Sequence, residues 1–261
     1  MKNLILILLS LSIVISCQQH ITKKQEKTNS SEYLLLSTAW FQLSAEQKAL
    51  FYQAYNIAKL RIDEIASDKA YNNPAVVLDI DETVLDNSPY QAWCVENDST
   101  FSKKTWDIWV KKAEAELLSG ALDFTNYAKS KGVEVIYISN RSVSQLNATI
   151  QNMKNKNLPN AEKDFVLLKD STSDKTFRRD LINEKYEIAL LIGDNLGDFD
   201  HVFDHRNEKA AHKAVEDYKT EFGKKFIVLP NPMYGKWERP YQKMEGEYIE
   251  NLKKQLKSFT Y

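Results

Sequence analysis

Two aspartates separated by one residue, Asp79 and Asp81, end an apolar run that begins at Ala75. A short, β-branched apolar run is typical of a buried strand, and ligands bind at the carboxyl ends of strands in an open parallel sheet. Two carboxylates placed there repel each other and are costly to desolvate, so such a pair usually binds a metal or has perturbed pKa values. The alternative is an acidic surface turn, and the pair alone does not decide between the two.

Further polar side chains follow other apolar runs of the chain. Ser139 and Asn140 come after the apolar run that ends at Ile138, and Asp194 and Asp198 come after the run that ends at Ile192. Lys175 lies at a predicted helix start after a third apolar run, which ends at Leu168. If the strands are neighbours, these acids, the hydroxyl and the cation converge at one edge of a sheet, which is a more specific signal than any single motif.

Each of these residues also has a purely structural interpretation. Asp194 lies in a Gly-Asp-Asn sequence of the kind that is common in turns, and Ser139 can cap the helix that follows it. Lys169 is also near the third strand, so the sequence leaves open whether Lys169 or Lys175 joins the site. We interpret the histidines beyond Asp198 as solvated side chains rather than metal ligands.

The elements that must position these groups are strands that alternate with helices. Four apolar runs predict strands: Ala75–Leu78 with Ile80, Val133–Ile138, Phe165–Leu168 and Ile188–Ile192. Helical spacing predicts helices in four regions: 33–66 with Ser44 as an N-cap, 103–118, 142–155 and 175–183. This alternation predicts an α/β fold of three layers with a parallel central sheet. Residues 88–130 are expected to include a small, mainly helical cap over the site.

The N-terminus is typical of an exported protein. The apolar stretch from Leu4 to Ile15 is too short to span a bilayer as an ordinary helix, so residues 1–16 are predicted to be a signal peptide. It ends in Val14-Ile15-Ser16-Cys17, which resembles the lipobox of bacterial lipoproteins, so Cys17 is expected to carry a lipid anchor. An ordinary secretory signal is the alternative. Residues 17–32 are predicted to be a flexible tether and residues 33–261 the folded domain.

The composition of the chain limits the classes of function. A formal net charge of −1 over 261 residues gives no case for binding a nucleic-acid polymer through bulk charge. A hydrophobic content of 43% is consistent with one sizeable core. With only Cys17 and Cys94 present, lipidation of Cys17 would leave no intramolecular disulfide, so the fold must rest on that core.

Taken in order along the chain, the motifs resemble those of a known superfamily. Asp79-x-Asp81-x-Thr83, Ser139, Lys175 and Gly193-Asp194-x-x-x-Asp198 are similar to the four motifs of the haloacid dehalogenase (HAD) superfamily. More narrowly, the segments Val77–Tyr90 and Ile192–Phe199 resemble the paired signatures of the class C acid phosphatases, the lipoprotein 5′-nucleotidases of bacterial envelopes. The resemblance extends from about Ser37 to the C-terminus and implies a HAD fold of the Rossmann-like type.

The resemblance implies an acid phosphatase that hydrolyses phosphomonoesters, with one Mg²⁺ per active site. Asp79 would bind the metal and attack phosphorus to form an aspartyl-phosphate. Asp81 would bind the metal through its backbone carbonyl and transfer protons through its side chain. Asp194 would be the third protein ligand, and Asp198 would hold a metal-bound water or orient the lysine.

The remaining site residues concern the substrate. By the same resemblance, Ser139 and Asn140 would contact the phosphoryl group, and Lys175 would balance its charge. Nucleobases stack well on aromatic faces, so Tyr90 and Tyr234 are candidates to clamp the base of a nucleoside 5′-monophosphate.

Two other functions are open to the same residues. One is an envelope lipoprotein that binds a nucleotide, cofactor or haem without turnover, and the other is a phosphotransferase that passes the phosphoryl group to an alcohol. Gln18 after the lipobox cysteine favours the outer membrane as the site of anchoring. A homodimer is a further hypothesis.

Overall fold

The computed structural model describes residues 31–204 and 207–259, and a parallel five-stranded sheet lies at its centre. The strands of the described residues are β1 (Pro74–Leu78), β2 (Leu85–Asp86), β3 (Glu116–Leu117), β4 (Glu134–Ser142), β5 (Val166–Lys169), β6 (Glu187–Gly193) and β7 (Phe226–Val228). The order in the sheet is β5-β4-β1-β6-β7, with every neighbouring pair parallel. The strand that leads into Asp79 is therefore the central one, as predicted.

Helices supply the outer layers. Those in the described residues are α1 (Leu35–Leu43), α2 (Ala45–Ser67), α3 (Ser88–Glu96), α4 (Lys103–Lys112), α5 (Ala121–Ser130), α6 (Leu146–Asn155), α7 (Thr176–Asn183), α8 (Glu208–Asp217), α9 (Arg239–Gln242) and α10 (Tyr248–Gln255). None of the helices within 31–204 and 207–259 is long and apolar enough to cross a membrane. The predicted signal peptide, Cys17 and most of the predicted tether lie outside the described residues.

The two faces of the sheet belong to different hydrophobic clusters. Val76 and Leu78 of β1 pack in a cluster with residues of α2 and α5. The alternating residues Ala75 and Val77 pack in a second cluster with Ile182 of α7. Because successive side chains of a strand point to opposite faces, this division places helices on both sides of the sheet. The predicted three-layer α/β fold is confirmed.

The secondary structure differs from the sequence prediction at several places. The helix predicted over 142–155 begins only at Leu146, because β4 extends to Ser142 and a 3₁₀ turn follows it. Strand β7 was not predicted, because three residues are too few to show a periodic pattern. The predicted helix over 103–118 is wrong in its second half, since α4 ends at Lys112 and Ala113 adopts a left-handed conformation with φ of 54°. The following residues form β3, which pairs with β2 in an antiparallel ladder. By contrast, Ser44 caps α2 as predicted, with its hydroxyl accepting a hydrogen bond from the Gln47 N–H at 3.1 Å.

Helices α3 and α4 and the small β2–β3 ladder lie at the position where the sequence predicts a cap, and we refer to them together as the cap. One of its contacts with the main domain is made by Asn152 of α6, whose amide donates to Ala115 O at 2.9 Å and accepts from Ala115 N at 3.0 Å. Helix α5 lies outside the cap, because Ala121 and Phe124 pack in the same cluster as α2 and the sheet.

Candidate active site

Three carboxylates meet at the carboxyl edge of the two central strands. Asp79 follows β1, Asp194 follows β6, and Asp198 ends a short 3₁₀ turn that begins at Leu196. Carboxylate oxygens from the three residues lie within 4.8 Å of one another. Asp79 and Asp198 are each 8% exposed, so this cluster is largely removed from solvent.

Lys175 is the cation of this cluster. Its ammonium group bonds to Asp79 Oδ1 and lies 2.7 Å from Asp198 Oδ1, and the side chain is 2% exposed. Lys169, the alternative from the sequence, lies half-buried on β5 and pairs in register with Ser142 of β4. The backbone turn before α7, rather than the end of β5, therefore delivers the lysine to the acids.

Burial and mutual repulsion perturb the pKa values of the cluster. Burial raises the pKa of Asp79 to about 7, with Lys175 opposing the rise and Asp198 adding to it. Burial, followed by the charges of Asp198 and Asp79, raises the pKa of Asp194 well above its ordinary value. Burial opposes the charge on Lys175, but Asp198 and Asp79 raise the pKa of its ammonium group. Lys175 thus forms ion pairs with two of the three acids of the cluster, Asp79 and Asp198.

The donor set of this cluster fits a hard divalent cation. Such ions prefer oxygen ligands, and carboxylates that converge without enough cations are the usual protein ligands for them. Asp194 has one protein partner for its carboxylate, Asn231, whose Nδ2 donates to Oδ2 at 2.8 Å. The triad of Asp79, Asp194 and Asp198 can therefore hold a divalent metal.

Local hydrogen bonds and one close approach explain the amino-acid composition of residues 193–198. Asp198 Oδ2 accepts from the Asn195 N–H at 3.0 Å, and Asn195 Oδ1 accepts from the Gly197 N–H at 3.2 Å. These bonds fold the Asp198 carboxylate back toward the strand end. A Cβ atom at Gly193 would lie 2.4 Å from Asp198 Oδ2, so only glycine leaves room for this carboxylate.

The side chain of Asp81 lies apart from the metal triad in a group of its own. Its Oδ1 accepts from Asn87 Nδ2 and Arg141 Nε, both at 2.8 Å, and its Oδ2 accepts from Ser139 Oγ at 3.1 Å. The Ser139 hydroxyl in turn accepts from the Arg141 backbone N–H at 3.0 Å. The two motif aspartates therefore have different surroundings despite their adjacency in the chain.

Two arginines of α7 hold the loops that carry the other site residues. Arg178 donates to Ser139 O at 2.6 Å and to Asn140 Oδ1 at 2.8 Å, and Arg179 donates to Asp198 O at 3.1 Å. The bond from Arg178 to the Asn140 oxygen fixes the orientation of the Asn140 amide. The sequence did not assign these arginines a role, although three cations within five residues beside an acidic site were a usable signal.

Other residues of the site were also missed from the sequence. They are Glu82, Asn87, Arg141 and Asn231. Glu82 is fully buried with a left-handed φ of 55°, and its Oε1 accepts from the Asn87 backbone N–H at 2.9 Å. Burial, with the charges of Asp81 and Asp194 adding to it, raises the pKa of Glu82 well above its ordinary value.

The two tyrosines that are candidates to stack on a nucleobase lie in different surroundings. Tyr90 is 3% exposed, and its hydroxyl lies 2.9 Å from Thr105 Oγ1 and accepts from the Ser102 N–H at 3.2 Å. Its ring is surrounded by the rings of Trp93, Phe101 and Trp106. Tyr234 is half-buried against the main hydrophobic cluster.

Among the histidines beyond Asp198, the described ones lie outside the acidic cluster. His201 is exposed beside Asp200, and the exposed His212 lies 3.7 Å from Glu208. His205 lies outside the described residues.

Comparison with known proteins identifies the family. The model of the HAD superfamily, subfamily IIIB (acid phosphatase), matches residues 10–237. This chain belongs to that family. The chain is also similar to the class C acid phosphatase from Bacillus anthracis, at 42% identity and a TM-score of 0.83, with 89% of this chain and 100% of the other covered. A structure of that enzyme with tungstate bound matches with a TM-score of 0.84.

More distant relatives of this acid phosphatase occur in plants. It is 27% identical to the Stem 31 kDa glycoprotein of Glycine max over 201 residues, which are 74% of this chain and 69% of the relative. It is 24% identical to Acid phosphatase 1 of Solanum lycopersicum over 164 residues, which are 60% and 57% of the two chains. The predicted superfamily is confirmed, and the protein is a hydrolase of small phosphate esters.

Proposed function

We propose that this phosphatase is Mg²⁺-dependent and acts through a covalent aspartyl-phosphate on Asp79. The observation that carries the proposal is the bond of Lys175 to Asp79 and Asp198 inside a buried acidic triad. A phosphomonoester is a dianion, so a carboxylate can approach phosphorus only where cations offset the repulsion. When bound, Mg²⁺ supplies the additional positive charge that the one lysine does not.

Asp79 and Asp194 would hold the metal in this proposal, together with the backbone carbonyl of Asp81, and Asp198 would hold it directly or through a water while it orients Lys175. The Asp79 carboxylate oxygen forms a bond to phosphorus while the bond from phosphorus to the leaving oxygen breaks, and Asp81 gives that oxygen a proton. Water then attacks phosphorus, Asp81 takes a proton from this water, and Asp79 is released. Lys175 remains protonated throughout and balances the charge of the transferred group.

The phosphoryl group is bound by the C-terminal end of β4. Arg178 fixes the Asn140 amide through its oxygen, and the amide nitrogen would donate to the phosphoryl group. Ser139 contributes its hydroxyl by turning it from Asp81 toward the phosphoryl oxygens. The relative that binds tungstate, a tetrahedral oxyanion like phosphate, supports an oxyanion site in this fold.

The proposed substrates are nucleoside 5′-monophosphates. Trp93 and Phe101 are 40% and 61% exposed in the described residues, so the cap offers aromatic faces to a base. Tyr90 supports these rings from within the cap, and Tyr234 is the candidate on the main domain. Stacking on such rings contributes about 1–3 kcal/mol per base.

The protein is proposed to act at the bacterial outer membrane, anchored by a lipid on Cys17. The lipobox-like sequence before Cys17 supports this placement. Replacing Cys17→Ser should move the protein from the detergent phase to the aqueous phase in a phase-separation assay. Light scattering of the detergent-free soluble domain tests the accompanying hypothesis of a homodimer.

Phosphate release from nucleotides and sugar phosphates, with Mg²⁺ and with chelator, tests the proposal. Asp79→Asn should abolish turnover, Asp81→Asn should reduce it to a low but measurable level, and Mg²⁺ should restore the activity of chelated wild-type protein. Asp63→Asn, on the exposed side of α2, is the matched control and should retain activity. Full activity of Asp79→Asn would sink the covalent mechanism. Adding an alcohol and measuring its phosphate ester separates hydrolysis from phosphotransfer.

A further inference from the structure

Arg141 binds the side chain that the proposed function uses for proton transfer. Its Nε and Nη2 both lie 2.8 Å from Asp81 Oδ1, and the arginine is 2% exposed. Asn87 Nδ2 donates to the same oxygen at 2.8 Å. Arg141 and Asn87 thus engage Oδ1, whereas Oδ2 accepts from the Ser139 hydroxyl, which the proposed function turns toward the phosphoryl group, so Oδ2 is the oxygen that becomes available to exchange a proton with the substrate.

The guanidinium group of Arg141 is itself fixed on its other sides. Its Nη1 donates to Thr149 Oγ1 of α6 at 3.2 Å, and its Nη2 donates to Asn87 Oδ1 at 3.1 Å. The Trp106 ring covers the guanidinium, with 5.7 Å from the central carbon to the ring centroid. Trp109 Nε1 also donates to Asn87 Oδ1, at 2.8 Å.

Both tryptophans belong to the cap helix α4. The contacts therefore connect the cap to Asp81 through one buried arginine and one buried asparagine. A planar guanidinium has a fixed fork of donors, so the position of its plane determines where the carboxylate can sit.

We propose that Arg141 is a positioning residue that holds Asp81 for proton transfer to the leaving oxygen, and that cap helix α4 holds Arg141 in place. The proposal rests on the proposed function of Asp81. A general acid must reach within hydrogen-bond distance of the leaving oxygen, and displacement by about 1 Å can cost a hundredfold in rate. Efficient protonation of the leaving group therefore requires that cap helix α4 be in its native position.

Leaving-group dependence is the measurement that separates positioning from a general structural role. 4-Nitrophenolate leaves without needing a proton, whereas the alkoxide from glycerol 2-phosphate requires one. The ratio of kcat/KM for these two substrates reports protonation of the leaving oxygen, because kcat/KM includes the step in which its bond to phosphorus breaks. A loss of folded enzyme lowers both values equally and does not change the ratio.

Arg141→Lys keeps the charge and removes the fork of donors. It should lower kcat/KM for glycerol 2-phosphate at least about tenfold more than for 4-nitrophenyl phosphate. Arg61→Lys on α2, whose guanidinium pairs with exposed Glu64, is the matched control and should leave the ratio unchanged. In an Asp81→Asn background, Arg141→Lys should produce no further selective loss, since it acts through Asp81.

The cap contribution is tested with Trp109→Phe, which keeps a ring and removes the N–H donor to Asn87. Like Arg141→Lys, it should lower kcat/KM for glycerol 2-phosphate more than for 4-nitrophenyl phosphate. Trp40→Phe on α1 is the control and should leave the ratio of the two values unchanged. Should Arg141→Lys fail to fold, Trp109→Phe decides in its place. A selective loss in Arg141→Lys with none in Trp109→Phe would overturn the coupling to the cap.

The outcomes also distinguish this proposal from the one on which it rests. If Asp81→Asn lowers both substrates equally, the acid role of Asp81 is wrong. If Asp81→Asn discriminates between the substrates while Arg141→Lys and Trp109→Phe do not, only the positioning role is overturned.

Discussion

Lys175 is a buried cation that the neighbouring carboxylates stabilise. It is 2% exposed and bonds to two carboxylates, whose charges keep its pKa above the ordinary value although burial opposes them. A buried ammonium group stays charged only when anions lie next to it. In turn, the ammonium group offsets the repulsion between the carboxylates.

Replacing Lys175→Met should lower kcat for phosphomonoesters by about a hundredfold or more, because the site loses its one buried ammonium group while keeping its volume. The measurement is steady-state phosphate release at saturating Mg²⁺. Lys169→Met on β5 is the matched control and should stay close to wild-type activity. Equal losses in the two variants would mean that the lysine assignment is wrong.

The raised pKa of Asp79 has a consequence for stability without metal. The value rises from 3.8 to about 7, so the folded state binds this proton more tightly than the unfolded state. The stabilisation from this group is present below pH 3.8 and is lost as the pH rises through about 7.

In chelator, Asp79→Asn should therefore be more stable than wild type at pH 7.5, and the advantage should shrink toward pH 4. Urea unfolding of the two proteins across this range measures the difference in free energy of unfolding. A difference that does not change with pH would contradict the raised pKa.

At the scale of elements, helix α7 organises the site more than any strand does. Lys175 precedes its first residue, and Arg178 and Arg179 on its first turns hold the end of β4 and the turn after β6. One helix thus supplies a cation to the acids and fixes the backbone on two sides of them.

One contact between the cap and α6 is made by an asparagine that bonds to both the N–H and the C=O of one backbone residue, as a strand partner would. Asn152 of α6 makes two hydrogen bonds with the backbone of Ala115, and both residues are buried. Asn152→Ala should lower the free energy of unfolding by about 1–3 kcal/mol, because a buried N–H and C=O lose their partners.

Asn147→Ala, on the exposed side of α6, is the control for Asn152→Ala. It should change stability by less than about 0.5 kcal/mol. Chemical denaturation of both variants provides the comparison, and similar losses in both would show that the Ala115 contacts are not what the cap depends on.

At the scale of the whole molecule, the acidic triad connects metal binding to folding. Asp79 is far in sequence from the segment that carries Asp194 and Asp198, and the three carboxylates meet only in the folded chain. A metal that binds them binds the folded state alone, so it must raise the apparent stability.

Mg²⁺ at about 100 times its Kd should stabilise the protein by about 2.7 kcal/mol, seen as a higher Tm in differential scanning calorimetry. Asp194→Asn should abolish this shift and should itself raise the Tm in chelator, because it removes one charge from a repelling group. Asp217→Asn, on the surface of α8, should keep the wild-type response. A Mg²⁺ shift that survives Asp194→Asn would place the metal elsewhere.

Much of this architecture was predictable from local sequence. The runs before Asp79 and Asp194 predicted buried strands because apolar, β-branched residues need a covered surface on both faces. The order of the motifs indicated the superfamily, which the family comparison confirmed. Strand β7 and the turn at Ala113 were not predicted, since the first is too short for a pattern and the second depends on the ladder that follows it.

By itself, the sequence determined the α/β alternation, the acidic motifs and their assignment to one edge of a sheet. Only the tertiary structure decided that Lys175 rather than Lys169 meets the acids, and that Arg141 rather than a metal-triad residue holds the side chain of Asp81. The reason is physical: strand patterns depend on neighbours along the chain, whereas a buried charge is matched by whichever opposite charge the packing brings within a few ångströms.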